Sequence, residues 1–401
     1  MTSTAPTILQ IVPELETGGA ELSAIEMADA ITRAGGRALV VSEGGRLENQ
    51  LSAAGGELIR LPVASKNPIQ IWRNARTIAD IARREGADLL HARSRAPAWS
   101  TLLAARQTGL PFITTYHGAY GEKSPFKRYY NSVMVRGALV IANSKYTAGL
   151  IETRYGTPRS KIRVIYRGVD PAFDPSLVDD ERIAQTRRRW GVPSGLRIVL
   201  LAGRLTSWKG QSVLIEAFRQ LDRAAGTGDA LVVLAGDHQG RDQYRNALVE
   251  QISAADLNGR VLLVGHEGDM PAAFAAAHIA VVASTEPEAF GRTAIEAQAM
   301  ACPVIATRHG APPETVIAPP AAGRDRQTGW LAKPGDAADL AAHLAEALDL
   351  PEEARRRMGV NARDNVQTNF TSSLMKSKTL LVYNEVLDQH SDGKTEYRFH
   401  A

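Results

Sequence analysis

Near the C-terminal third of the chain runs STEPEAFGRTAIEAQAM, Ser284 to Met300, in which Glu288 and Glu296 stand with seven residues between them. From Thr293 to Ala306 the strongly polar side chains are Thr293, Glu296 and Gln298, so the helix read from about Arg292 to Met300 is apolar enough to be buried on most faces. A buried carboxylate costs several kcal/mol unless it is paired or hydrogen-bonded. Glu296 therefore requires donors, and either ribose hydroxyls or an internal arginine would supply them. Glu288 lies in the loop before that helix, beside Ala289, Phe290 and Gly291. A carboxylate there can accept hydrogen bonds from sugar hydroxyls, or stand as a solvated loop acid next to Glu286.

A second chemical locus is LLAGRLTSWKGQSVLIEAF. Arg204 directly follows an apolar run, and Lys209 lies just before a helix that should start near Gln211. Two cations and a helix N-terminus in one loop oppose the charge of a diphosphate, although either cation alone reads more readily as a solvated surface base. In ITTYHGAYG, His117 and Gly118 follow a β-rich run, which puts an imidazole at a strand end within reach of a hydroxyl or a developing charge. In PELETGGAELSAIEMADAI, Gly18 and Gly19 precede a helix, where backbone amides can approach an anion or a sugar hydroxyl, or simply form a turn. The pair lacks both the three-glycine dinucleotide pattern and the Gly-Lys-Ser/Thr ending of a P-loop.

The elements that must position these residues alternate along the chain. Short apolar runs at Thr7 to Val12, Arg37 to Ser42, Leu89 to Ala92, Phe112 to Tyr116 and Leu139 to Asn143 read as buried strands. Between them lie amphipathic segments such as Glu21 to Arg33, Ile69 to Glu85 and Ala98 to Thr108. From Arg167 to Pro193 the pattern lapses into a polar stretch, VDDERIAQTRRRWG, read as a linker or a peripheral helix. It resumes with strands at Arg197 to Ala202, Ala230 to Ala235, Arg260 to Val264, Ile279 to Ala283 and Pro303 to Ala306. The expected fold is α/β, with two Rossmann-like, doubly wound domains in series: residues 1–170, residues 171–370, and a helix in 371–401 that returns to the first domain before a frayed tail. Ligands of such sheets bind beyond the carboxyl ends of the strands, so the expected site is a cleft between the domains.

Composition sets the remaining bounds. The 401 residues are 44% hydrophobic and 22% charged, ordinary for a globular protein, and exceed the length usual for one core. The single cysteine, Cys302, excludes an intramolecular disulfide and a thiolate zinc cluster, and reads as a buried, inert thiol. The opening MTSTAPTILQIV has neither a basic n-region nor a long apolar run, so cytoplasmic residence is expected. A net charge of +4 without a basic stripe fits an anionic ligand and argues against nucleic acid. KSPFKRYYNSVMVRGA, Lys123 to Ala138, mixes Lys123, Lys127, Arg128 and Arg136 with aromatic and apolar residues. It reads either as a surface helix with one core face or as a contact with anionic membrane or a lipid-linked acceptor.

Taken together, TGGAE, TYHG, ANSKYT, YRGVDPAFDP, GRLTSWKG, the Glu-x7-Glu stretch running into ACPVIAT, and TGWLAKPGDAADLA resemble, in order, the signatures of family 4 retaining glycosyltransferases of the GT-B fold. That resemblance covers most of the chain. It implies a nucleotide-sugar donor, UDP- or GDP-linked, and transfer to a saccharide or lipid-linked acceptor of the cell envelope, such as a lipopolysaccharide or exopolysaccharide precursor, with no metal and no further cofactor. It places Gly18, Gly19, Gly203, Ala289, Phe290 and Gly291 against the donor's phosphates or sugar, and His117 on the sugar. It gives Arg204 and Lys209 the diphosphate and leaving group, Glu288 the transferred sugar, Glu296 the ribose, and Val264 to His266 the base. Asn143 and Ser144 open a helix near the expected domain boundary. Two departures stand out: RHGAPPE, Arg308 to Glu314, where two glycines usually precede the glutamate, and Arg167, where asparagine is usual. With no Asp-x-Asp in the chain, cationic side chains are expected to take the place of a metal at the diphosphate. Lacking a carboxylate assignable as nucleophile, the expected retention is a front-face attack assisted by the leaving phosphate. A nucleotide-sugar epimerase of the same fold and a non-catalytic sugar-binding protein are the competing expectations.

Overall fold

The structure is a computed structural model and describes residues 5–16, 18–121, 124–225, 228–390 and 399. The chain divides into two compact units, Met1–Tyr166 with Ser372–Ala401, and Arg167–Thr371. The division falls after Tyr166 rather than after residue 170.

In the first unit the strands are β1 (Thr7–Ile11), β2 (Arg37–Ser42), β3 (Gly56–Arg60), β4 (Leu89–Ala92), β5 (Phe112–Tyr116), β6 (Val140–Ala142) and β7 (Ile162–Val164). The helices are α1 (Gly19–Arg33), α2 (Glu48–Ala53), α3 (Pro68–Arg84), α4 (Arg95–Thr108), α5 (Pro125–Asn131) and α6 (Lys145–Tyr155). The sheet is parallel, in the order β3-β2-β1-β4-β5-β6-β7, so winding reverses between β1 and β4. The central strands are Leu-, Ile- and Val-rich and buried on both faces, as helices covering both sides of a parallel sheet require.

At that reversal lies a fully buried polar network that sequence reading missed. Arg93, directly after β4 and only 2% exposed, donates from Nε to Gln10 Oε1 (2.8 Å) and from Nη1 to Ser23 Oγ (3.0 Å). His91 bridges Tyr383 Oη through Nδ1 (2.8 Å) and Thr115 Oγ1 through Nε2 (2.8 Å). Burial, reinforced by Arg93, holds the imidazole well below its usual pKa, while burial pushes the Tyr383 phenol up to about 12. Both groups thus keep their neutral forms.

Tyr383 belongs to the C-terminal helix, Ser372–His390, whose apolar face packs on α1 and the adjoining sheet face. Lys376 Nζ reaches Asp29 at 2.7 Å, and Arg163 on β7 pairs with Glu385. Phe399, expected in a frayed tail, is 3% exposed; its amide donates to Asn384 Oδ1 (2.9 Å), so an aromatic anchor follows the helix. The rest of the expected tail lies outside the described residues.

In the second unit the polar stretch after Arg167 forms α7 (Asp180–Arg189), capped by Asp179 through the Arg182 amide. There follow β8 (Arg197–Ala202), α8 (Gln211–Ala225), β9 (Ala230–Ala235), α9 (Asp242–Ala254), β10 (Val261–Gly265), α10 (Met270–Ala276) and β11 (Ile279–Val282). Then come α11 (Arg292–Ala299), β12 (Val304–Thr307), α12 (Pro312–Thr315), β13 (Gly329–Ala332), α13 (Ala337–Leu348) and α14 (Glu352–Asn369), before the C-terminal helix, α15. Its parallel sheet runs β10-β9-β8-β11-β12-β13, reversing between β8 and β11. Cys302, 2% exposed, lies in the core under α11, and burial pushes its thiol up to about 12.

The segment 123–138 is not one amphipathic helix. It is α5, begun by the Ser124 cap and Pro125, followed by a 3-10 turn at Ser132–Val135, and Lys123 lies outside the described residues. Among the described residues no helix is long and apolar enough to cross a membrane.

Candidate active site

In the second unit the loops after β8 and β11 come from neighbouring strands at the reversal of the sheet, where open α/β sheets bind ligands. After β8 the chain makes a 3-10 turn, Ser207–Lys209, and then Gly210 in the left-handed region (φ +76°) before α8 begins. A Cβ at Gly210 would fall 1.9 Å from the Ala283 carbonyl oxygen, so only glycine lets the two loops touch. The Thr285 amide donates to the Trp208 carbonyl (2.8 Å), and Thr307 Oγ1 donates to the Ser284 carbonyl (2.7 Å).

This junction brings together two residues singled out separately in the sequence. Lys209 Nζ lies 2.6 Å from Glu288 Oε1, and Ser284 Oγ donates to the same oxygen at 2.7 Å. Lys209 Nζ also sits 4.3 Å from the centre of the Trp208 ring. Among the described residues Glu288 Oε2 makes no hydrogen bond, so one carboxylate oxygen is anchored and the other is available. Ser284 was not anticipated; its place one helical turn's spacing before Glu288 was the available signal.

The departure in RHGAPPE also gains a role. Gly310 pairs backbone to backbone with Glu288, whose amide donates to the His309 carbonyl (3.2 Å) and whose carbonyl accepts from Ala311 (2.9 Å). Pro312 then opens α12. The other altered position, Arg167, is buried.

Glu296 finds its donor inside the protein. Arg292, the first residue of α11, places Nε and Nη2 each 3.2 Å from Glu296 Oε1. Arg292 stands just outside the apolar window from which a need for hydroxyl partners was argued, and the i, i+4 spacing explains the contact. Burial nevertheless pushes the Glu296 carboxyl above its ordinary pKa, opposed by Arg292, raised further by Asp170 and lowered by Lys209.

The remaining candidates divide by environment. Arg204 is exposed, and its side chain has no hydrogen-bond or ion-pair partner among the described residues. Gly203 precedes it, and a Cβ there would meet the Lys209 stem at ordinary van der Waals distance. Phe290 is buried edge-on against Phe370, with ring centres 6.0 Å apart, and Gly291 caps α11 in the left-handed region (φ +82°). Half-buried Ala289 lies between Glu288 and Phe290. Val264 is half-buried at the end of β10, and His266 just beyond it is exposed.

Gly18, Gly19 and His117 belong to the first unit. Gly18 caps α1 and both glycines are exposed. A Cβ at Gly18 would fall 2.0 Å from Glu21 Oε2, so the Glu21 carboxyl lies over the helix start where an anion had been one expected occupant. His117 follows β5, half-buried, and its carbonyl accepts from Asn143 Nδ2 (3.2 Å). Asn143 Oδ1 in turn accepts from Thr147 Oγ1 (2.8 Å), and Ser144 caps α6. These last two residues therefore set the start of a helix.

Residues 182–365 match the model of the family glycosyl transferases group 1, and residues 17–173 that of Glycosyltransferase Family 4. A D-inositol 3-phosphate glycosyltransferase of Arthrobacter sp. strain FB24 is 30% identical, the match covering 76% of this chain and 72% of that protein. A solved glycosyltransferase from Rickettsia africae ESF-5 is 36% identical with a TM-score of 0.86, covering 95% of this chain and 98% of that one. The Anabaena HepE protein, solved in complex with UDP and glucose, shares the fold at 24% identity and a TM-score of 0.78, covering 94% of this chain and 98% of that one. With two parallel α/β units of this topology and these matches, the chain belongs to the family 4 glycosyltransferases of the GT-B fold.

Proposed function

We propose that this glycosyltransferase moves a hexose from a nucleotide-diphosphate sugar to a saccharide or lipid-linked acceptor of the cell envelope, with retention of anomeric configuration and with cationic side chains rather than a metal at the diphosphate. The observation that carries this reading is the Lys209–Glu288–Ser284 cluster, in which a lysine and a half-anchored carboxylate share one oxygen. Lys209 and the unpartnered Arg204 would meet the two phosphates, and the available Glu288 Oε2 would accept a hydroxyl of the transferred sugar. Glu296, held by Arg292, would accept from the ribose through its other oxygen. The unit that carries Val264 and His266 would hold the base, and the UDP bound by the Anabaena protein of the same fold favours a uridine nucleotide.

In the step itself the bond from the anomeric carbon to the diphosphate breaks with its electron pair passing to the phosphate oxygen. The acceptor hydroxyl bonds the anomeric carbon on the same face, and its proton passes to that leaving oxygen. Lys209 and Arg204 stabilise the charge that collects on the diphosphate, where fixed donors act most strongly. His117 and the Gly18–Gly19 helix start are assigned to sugar hydroxyls; the Glu21 carboxyl over Gly18 suits a hydroxyl donor better than a phosphate.

The acceptor reading rests on the surface of α5. Phe126 is 80% exposed and Tyr129 57%, with Lys127 exposed between them. An apolar ring beside an exposed ammonium suits an anionic lipid surface. Incubation with UDP-, GDP- and ADP-hexoses tests the donor: slow nucleotide release with one of them, lost in Lys209→Met and Glu288→Gln, is the expected result. Nucleotide release unchanged in both variants overturns the assignment.

A further inference from the structure

A concavity in the same unit is walled by the loop after β8, the loop after β9 and the start of α9. It has a volume of about 560 Å³ and is lined by Thr206, Trp208, Gly240, Arg241, Asp242 and Tyr244, among others. That lies within the range of small-molecule sites, roughly 300 to 1,000 Å³.

Three observations mark it as built. Thr206 is 9% exposed, and its Oγ1 is buried without a hydrogen-bond partner, a cost a folded protein seldom leaves standing. The wall after β9 is conformationally special: Gln239, which is not glycine, has φ +48°, followed by Gly240 at +75°. That wall is also braced. The Gln239 amide donates to Asp237 Oδ1 (2.8 Å), His238 Nε2 lies 3.1 Å from Asp242 Oδ1, and Arg241 Nη1 donates to the His238 carbonyl (3.2 Å). On α9, into which that wall runs, Tyr244 Oη donates to Gln211 Oε1 (3.1 Å), which fixes its ring.

The chemistry of the lining selects the ligand. Two aromatic rings offer flat apolar faces, and a hydroxyl, a guanidinium and a carboxylate offer donors and acceptors at the rim. Arg241 and Asp242 cancel in charge, so the lining carries no net charge that would select an anion. Aromatic faces combined with mixed neutral hydrogen bonding match a polyol ring with apolar C–H faces.

We propose that this pocket is a saccharide-binding subsite for an uncharged hexose unit of the acceptor or product glycan, next to the Lys209–Glu288 cluster, whose Lys209 Nζ lies 4.3 Å from the centre of the Trp208 ring. Thr206 Oγ1 bonds a ring hydroxyl, and Trp208 and Tyr244 flank the sugar. It rests on the glycosyl-transfer reading only for the origin of the sugar.

The test is ligand-observed NMR with the full chain, using methyl α-glucoside, maltose and cellobiose as probes and UDP as a separate ligand. Saturable binding of at least one of these sugars is expected, weakened about fivefold by Thr206→Val and about tenfold by Tyr244→Ala, with UDP affinity unchanged. Thr206→Val keeps the shape of the side chain, which guards against a misfolded Tyr244→Ala protein. Sugar binding equal in both variants and the parent, or none at all, overturns the subsite. Binding of inorganic phosphate that competes with the sugar and is lost in Thr206→Val overturns it in favour of an anion site. Nucleotide-sugar turnover without sugar binding leaves the transfer reading standing and the subsite refuted; sugar binding without turnover does the reverse.

Discussion

Lys209 and Glu288, 79 residues apart in the chain, meet at 2.6 Å because the loops that carry them leave adjacent strands at the winding reversal of the second sheet. The contact couples the cation assigned to the diphosphate with the carboxylate assigned to the sugar. Replacing Lys209 by Met keeps an apolar stem against Trp208 but removes the charge. Turnover should fall by about 10² to 10³, the usual loss for one donor to a developing anion. Glu288→Gln should lower it as well, and the double variant should lose less than the sum of the two in free energy, since each single change strands the other group. Steady-state kinetics on the four proteins measures the coupling; strict additivity would show that the pair does not act as a unit.

Glu296 carries a stability cost with a definite sign. Burial raises its folded-state pKa above the ordinary 4.5, so between those values the native state binds more protons than the unfolded chain. Stability attributable to this group is therefore greatest at acid pH and falls as pH rises from 4.5 through the folded value. Glu296→Gln should melt at a higher temperature than the parent at pH 7 to 8, with the gap closing toward pH 4. The same variant should bind UDP more weakly, a trade of stability for ligand affinity. Melting curves across pH and UDP titration check both; unchanged UDP affinity would remove Glu296 from the donor site.

Much of the fold was legible because parallel strands buried on both faces are nearly uniform in Leu, Ile and Val. The ranges of β2, β4, β5, β8 and β9 coincide with the apolar runs. The strands not foreseen lie at or near sheet edges, where the signal weakens: GELIR of β3 has no buried residue, IRV of β7 is three residues long, and GWLA of β13 opens on glycine. At the site, the chemistry-bearing types were visible but their partners were not. Nothing in one sequence says that β8 lies beside β11, so the Lys209–Glu288 contact could not be read. Arg292 escaped notice because it sits one residue outside the apolar window used to judge Glu296. The buried Arg93 network was missed for a different reason: its partners Gln10, Ser23 and Tyr383 come from β1, α1 and the returning α15, far from Arg93 in the chain.

Gly310 holds Glu288 by backbone contact. At φ +90° a Cβ there would fall 2.2 Å from the Glu288 carbonyl oxygen, and no flexible side chain can yield to make room. Gly310→Ala should therefore shift Glu288 and reduce turnover by about tenfold or more, since small displacements at a positioned site are expensive. His309→Ala, whose backbone contact survives the change, serves as the control. Equal activity of Gly310→Ala and the parent would show that this loop does not position the carboxylate.

Tyr383→Phe isolates the tie between α15 and the first sheet. It deprives the fully buried His91 Nδ1 of its Tyr383 partner, a loss of about 1 to 3 kcal/mol. The melting temperature should drop while UDP affinity, a property assigned to the second unit, holds. A fall in UDP affinity equal to that of Glu296→Gln would refute the separation of the two roles.

The exposed face of α5 is the last test, and the structure narrows which charges can take part. Arg136 stacks 5.2 Å from the Trp99 ring and 4.9 Å from Tyr129, and Arg128 donates to the Arg154 carbonyl, so both are engaged within the protein. Lys127 and Phe126 project instead. Lys127→Glu should weaken binding to vesicles containing anionic phosphatidylglycerol, by about 1 kcal/mol for loss of the basic charge and further by the added repulsion. Phe126→Ser should weaken it independently of salt, whereas the lysine effect should fade as ionic strength rises. Co-sedimentation at low and high salt reads both. Vesicle binding that is absent in the parent, or unaltered in both variants, would assign α5 to the protein surface alone and leave the acceptor to be recognised as a soluble glycan.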